Sequence, residues 1–230
     1  MINLKIKKGD VVSIVGAGGK TTLLNYLSNK YRRDNSVLMT TTTKIFTPLK
    51  YDYLYHNIKI LDTVSQPLKN SLYVVAPKYK DKLSSLPMVD LKKLIKYFDY
   101  IFIEADGSKM KPLKGWNETE PVICAETTIT IGVVDLTHIG KAIDKKIVHR
   151  IELFCKLVGK REGEVLTVDD YIKIILNKDG IFKNSKGKKV IYFSKADLIK
   201  DLKIIDKIKS KLYDKNFVGE FLEIFLLENF

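Results

Sequence analysis

Val11-Val12-Ser13-Ile14-Val15 runs directly into Gly16-Ala17-Gly18-Gly19-Lys20-Thr21-Thr22, and a helix-like stretch follows from Leu23 to Tyr31. Apolar strand, glycine-rich loop, Lys-Thr pair, helix: that order predicts a loop that holds phosphate groups. Without Cβ atoms the glycines let backbone N–H groups turn toward an anion. The helix N-terminus adds a favourable dipole field. In this reading Gly16, Ala17, Gly18, Gly19, Lys20, Thr21 and Thr22 bind the phosphates. Lys20 reaches the outer ones and acts in catalysis, and the Thr21 hydroxyl ligates Mg2+.

The full pattern G-x-x-x-x-G-K-[ST] requires glycine at position 14, where Ile14 stands. What remains is the compact G-x-x-G-K-T, which resembles the loops of amide-forming ligases of cell-wall synthesis. A dinucleotide loop is the rival reading, but its third glycine position is Thr21 and the second strand ends in Thr40-Thr41-Thr42-Thr43 instead of an acidic ribose ligand.

The apolar, β-branched runs alternate with helical stretches, which predicts an α/β fold: a mainly parallel twisted sheet flanked by helices, a three-layer sandwich like that of P-loop NTPases. The expected strands are Leu4–Lys7, Val11–Val15, Val37–Thr41, Leu72–Ala76, Tyr100–Glu104, Thr128–Val134, Lys189–Phe193 and Leu222–Leu226. The expected helices are Thr21–Tyr31, Val89–Tyr97, Ile147–Leu157, Val168–Asn177 and Leu202–Leu212. Residues 1–230 read as one domain with a small helical insertion around 140–180. No apolar run approaches the ~20 residues of a bilayer span, and no signal peptide is recognisable, so a cytoplasmic location is expected. Cys124 and Cys155 fit two reduced thiols. The net charge of +13 is uneven: residues 1–50 hold nine Lys and Arg against two Asp and Glu. No nucleic-acid-binding signature accompanies it, so an anionic small ligand is the expected partner.

Two further elements belong beside the loop. Tyr100-Ile101-Phe102-Ile103 is an apolar strand ending in Glu104-Ala105-Asp106-Gly107-Ser108. Carboxylates at such a strand tip hold Mg2+ or polarise water, which makes Glu104 and Asp106 catalytic and metal-binding candidates. Thr42 is a further metal candidate, and Lys44 ends the same segment. Val190-Ile191-Tyr192-Phe193 leads into Ser194-Lys195-Ala196-Asp197, similar to the [NT]-K-x-D segment that reads guanine. There Asp197 would accept from the base and the Lys195 stem would lie along it, with ATP and CTP as alternatives to GTP. Lys44, Ser108, Lys111, Lys114, His149 and Arg150 are candidates for holding a second, anionic substrate. Trp116 either covers a flat ring or packs.

Three blocks together resemble the YqeC family: Val15 to Thr22 with Thr41-Thr42-Thr43-Lys44; Glu104 to Ser108 running through Lys111-Pro112-Leu113-Lys114 to Glu120-Pro121-Val122-Ile123; and Asp135 through Gly140 to His149-Arg150. The resemblance implies a P-loop-type accessory protein in the maturation of selenium-dependent molybdenum hydroxylases. Its implied partners are a client hydroxylase or other maturation proteins, together with Mg2+ and GTP or ATP. The expected activity is hydrolysis of a nucleoside triphosphate. The alternative is a non-hydrolysing carrier of a molybdopterin-type nucleotide cofactor.

Overall fold

A computed structural model describes residues 5–199 and 201–222. At its centre is an eight-stranded sheet formed by β1 (Val11–Gly16), β2 (Ser36–Thr41), β3 (Tyr53–Tyr55), β4 (Ser71–Val75), β5 (Tyr100–Glu104), β6 (Ile129–Asp135), β7 (Lys188–Ser194) and β8 (Glu220–Leu222). The spatial order is β8-β7-β6-β1-β5-β2-β4-β3. Every neighbouring pair is parallel. β1 lies between β5 and β6, with Ile14 opposite Glu104 and Val15 opposite Gly132. The loop after β1 therefore leaves the sheet between the carboxyl ends of β5 and β6, the edge where ligands bind in open parallel sheets.

A parallel strand covered on both faces is largely apolar, which is why β1 and β5 read as apolar runs, interrupted in β1 by the buried Ser13. Val12 and Ile14 pack against Leu23, Leu24 and Leu27 of α1 (Lys20–Tyr31). Val11, Val15, Ile101 and Ile103 face the opposite layer. That layer is built from α2 (Met88–Leu94), α3 (Ile151–Val158), α4 (Val168–Leu176) and α5 (Lys203–Asp214). The fold is thus a three-layer α/β sandwich. Thr167 starts α4, and the Asp170 carboxylate accepts its backbone N–H at 2.8 Å. Phe154, Val158, Tyr171 and Ile174 of α3 and α4, in the 140–180 segment, join the same core as Val15 and Ile103. No helix among the described residues is long and apolar enough to cross a membrane.

Several expectations need correction. The helix expected at Ile147–Leu157 begins at Ile151, because Val148–His149 pairs in parallel with Leu113–Lys114 and Arg150 takes a left-handed φ of 55°. Lys5–Lys7 is not a strand, although Ile6 is buried; Leu4 lies outside the described residues. The last strand is Glu220–Leu222, and residues 223–226 of the expected one lie outside the described residues. The edge strand β3 was not foreseen. Neither was a small antiparallel sheet in which Ile45–Phe46 and Lys78–Tyr79 flank Lys82–Leu83.

Phe102 is fully buried in the middle of β5. Phe102→Ala is expected to cost about 3–5 kcal/mol in chemical denaturation, the usual range for emptying an aromatic core site.

Candidate functional site

At the carboxyl edge of the sheet lies a cavity of about 520 Å³. Gly18–Thr22 form its floor. Glu104, Gly107 and Ser108 make one wall, and Thr43–Phe46 with Lys82 make another. His149 and Arg150 close the rim.

The floor is held in a shape that only glycine tolerates. Gly16 and Gly18 have φ of 95° and 72°. A Cβ on Gly18 would lie 2.5 Å from the Asp135 Cβ. Three hydrogen bonds fix the loop: the Gly16 N–H donates to Asp106 Oδ2 at 3.0 Å, the Ala17 N–H donates to the Val133 carbonyl at 3.2 Å, and the Ser194 hydroxyl donates to the Gly18 carbonyl at 2.5 Å. The helix that follows has no acidic residue in its first turn and no side-chain cap. Its first N–H groups and its dipole are thus left for an anion in the cavity.

Lys20 is 4% exposed, with its Nζ 3.8 Å from Glu104 Oε1 and donating to Ser108 Oγ at 3.3 Å. The Thr21 hydroxyl donates to Glu104 Oε2 at 3.0 Å. Burial pushes the Glu104 carboxyl above its ordinary range, against the pull of Lys20 and Thr21. The sequence candidates Lys20, Thr21, Glu104 and Ser108 therefore meet at one point.

Asp106 stands behind the loop, 1% exposed. Besides the Gly16 N–H, it accepts from the Trp116 indole at 2.7 Å and from Lys114 Nζ. Lys114 is itself buried and also donates to the Gly107 carbonyl at 2.6 Å and to Glu120 at 2.9 Å. Arg150 completes the chain on Glu120. Burial raises the Glu120 carboxyl, but Arg150 and Lys114 outweigh it and hold the group below its ordinary range. His149 lines the cavity, and its pKa is lowered to about 4 by burial and by the nearby charges of Arg150, Lys114 and Lys109. Lys44 also lines the cavity. Asp106, a metal and catalytic candidate, and Lys114, a second-substrate candidate, are thus spent on this buried network and do not line the cavity, and two further candidates also point elsewhere. The Thr42 hydroxyl donates to the Val122 carbonyl at 2.6 Å, and Lys111 donates to the carbonyls of Lys145 and Val148.

On the other side of the loop, a recess of about 70 Å³ is lined by Gly19, Thr22, Tyr192, Ser194, Lys195, Asp197 and Leu198. Lys195 takes a left-handed φ of 55° and its Nζ lies 2.8 Å from Asp135 Oδ2.

The YqeC family model matches residues 12–152, more than half of the chain. The chain belongs to the YqeC family. It is 28% identical over 203 residues to the "Uncharacterized protein YqeC" of Escherichia coli (strain K12), covering 81% of this chain and 76% of that protein. No solved structure matches it. The YqeC match takes in the loop, Glu104, Asp106, Lys114 and Arg150, and stops before Ser194–Asp197.

Asp135 is the functional candidate that sequence reasoning missed in this YqeC chain. It ends β6 fully buried under Gly18, and it accepts from Thr137 and Lys195. Burial raises its carboxyl, but His138, Lys195 and Thr137 prevail and bring it to about 2. An acid closing an apolar strand was the signal that found Glu104, and it applies here too.

Lys114→Met leaves the buried Asp106 without its cation, while Glu120 keeps Arg150, so a loss of about 3–5 kcal/mol in denaturation is expected. His149 stays neutral in the folded chain down to about pH 4, whereas unfolded it takes up a proton near 6.5. Stability should therefore fall as pH drops from about 6.5 to about 4. His149→Gln should flatten that part of the stability profile, read as the difference from the unsubstituted protein.

Proposed function

We propose that the chain binds a Mg2+–nucleoside triphosphate on Gly16–Thr22, prefers guanine, and cleaves the terminal phosphoanhydride. The observation that carries this reading is the convergence of Lys20 and Thr21 on Glu104 at the head of a helix whose first turn lacks any acid. Lys20 would offset charge on the outer phosphates, while the loop amides and the helix dipole hold the rest. The Thr21 hydroxyl and the Glu104 carboxylate offer adjacent hard oxygen donors, which suit Mg2+ when phosphates and water supply its other ligands. Bound there, Mg2+ would neutralise phosphate charge. Glu104, desolvated and raised in pKa, can hold or orient a water.

Asp197, at the recess beside Gly19, would accept from the two N–H groups on the guanine edge. Adenine would leave that carboxylate unpaired, which costs binding. The Ser194–Gly18 hydrogen bond ties the base-reading segment to the phosphate loop. The role in maturing selenium-dependent molybdenum hydroxylases rests on the motif blocks shared with the family. In that role, nucleotide binding would order the Thr41–Lys44 segment and cleavage would release it.

Lys20→Ala should weaken triphosphate binding at least about tenfold, the usual cost of losing a charged hydrogen-bond donor, and should reduce phosphate release with it. Unchanged affinity and turnover would contradict the reading. Asp197→Asn should cut the preference for GTP over ATP about tenfold, measured by paired titrations.

A further inference from the structure

We infer that the cavity also holds a second substrate, a small organic oxyanion with a flat or apolar body, seated beyond the outer phosphate between Lys44, Lys82 and Lys109. This deepens the nucleotide reading above and rests on it.

The order of strands along the sheet edge supplies the first argument. Asp197 follows β7, the glycine loop follows β1, Glu104 ends β5, and Thr43–Phe46 follows β2. Neighbouring strands lie about 4.8 Å apart, so β2 is roughly 10 Å beyond β1, on the side away from Asp197. A nucleotide with its base at Asp197 and its phosphates over Gly18–Thr22 reaches its last phosphate at Lys20 and Ser108. The cavity continues past that point to Phe46, Lys82, Lys109 and Met110. That is where an acceptor or co-substrate would face the terminal phosphate.

Charge supplies the second argument. Lys20 faces Glu104, and Arg150 is paired with Glu120, so neither leaves much net charge. The outer lysines differ. Lys44 Nζ lies 3.8 Å from the Tyr79 ring centroid, and Lys82 Nζ lies 4.3 Å from that of Phe46. An aromatic face orients an ammonium without cancelling its charge. Lys109, across the cavity, is exposed on a left-handed turn with φ of 50°. Two ring-held ammonium groups and the exposed Lys109 on the facing side thus line the same cavity, and an anion between them would be held by their charge.

The body of the ligand follows from what lies between the charges. Phe46 is 46% exposed and Met110 84% exposed, and both line the cavity. A bare inorganic ion would leave that apolar surface in water, whereas an organic anion covers it.

Flavin mononucleotide, a fluorescent flat ring carrying a phosphate, serves as the probe, with riboflavin as its uncharged counterpart. It is titrated into protein saturated with Mg2+ and a non-hydrolysable triphosphate. Binding is expected to persist in the triphosphate-loaded protein, to be at least about tenfold stronger than riboflavin binding, and to fall about tenfold in Lys82→Glu and in Lys109→Glu. Lys20→Ala should keep the flavin site while losing the triphosphate. Absence of binding, displacement by the triphosphate, or equal binding by the charge-reversed variants would overturn the second site. Triphosphate titration of the same unsubstituted protein reports separately whether the nucleotide reading stands.

Discussion

The Asp106 carboxylate holds the site together. It is buried, and a buried carboxylate is tolerated only when donors surround it. Its donors come from three places: the Gly16 N–H at the start of the loop, the Trp116 indole, and the Lys114 ammonium. Through Lys114 the same network reaches Glu120 and then Arg150 on the rim. The glycine loop and the outer wall are therefore fixed to one another by charges that cannot be separated cheaply. Main-chain pairing reinforces the link, because Val148–His149 adds to Leu113–Lys114 and places His149 and Arg150 at the rim. Loop conformation, wall position and the direction in which Arg150 points all follow from this one buried network.

A second clamp acts from the opposite side. Ser194 donates to the Gly18 carbonyl, and Asp135, under Gly18, takes Lys195. The start of the loop is thus held from behind, the Gly16 and Ala17 N–H groups included, while Gly18–Thr22 line the cavity. This division matters chemically. Groups that bind the loop from behind are saturated and buried, and groups that face the cavity keep donors, or positive charge, to spare. Electrostatic preorganisation of this kind avoids reorganisation when an anion arrives.

Much of this was legible in the sequence, for identifiable reasons. β1 and β5 are buried on both faces, so their runs are apolar apart from Ser13, whose hydroxyl pairs with that of Thr127, and their ends mark the site. Glu104 was found because it closes such a run. The roles of Asp106 and Lys114 were hidden, because their partners are set by tertiary approach: Gly16 lies 90 positions from Asp106. Lys111 and Lys114 are three residues apart, yet one reaches backbone carbonyls and the other a buried carboxylate. The small sheet that carries Phe46 and Lys82 has two-residue strands, too short for a period-two pattern to register, and its pairing joins Ile45 to Leu83. The sequence likewise could not distinguish Thr42, turned to Val122, from Thr43 beside the cavity.

The central claim is that the floor of this cavity grips the phosphates of a metal-bound nucleotide. Calorimetric titration of the protein with a non-hydrolysable GTP analogue, with and without Mg2+, tests it most directly. The account predicts micromolar affinity that depends on Mg2+. No binding of the triphosphate in either condition would contradict it and would leave the Gly16–Thr22 loop as a cradle for some other anion.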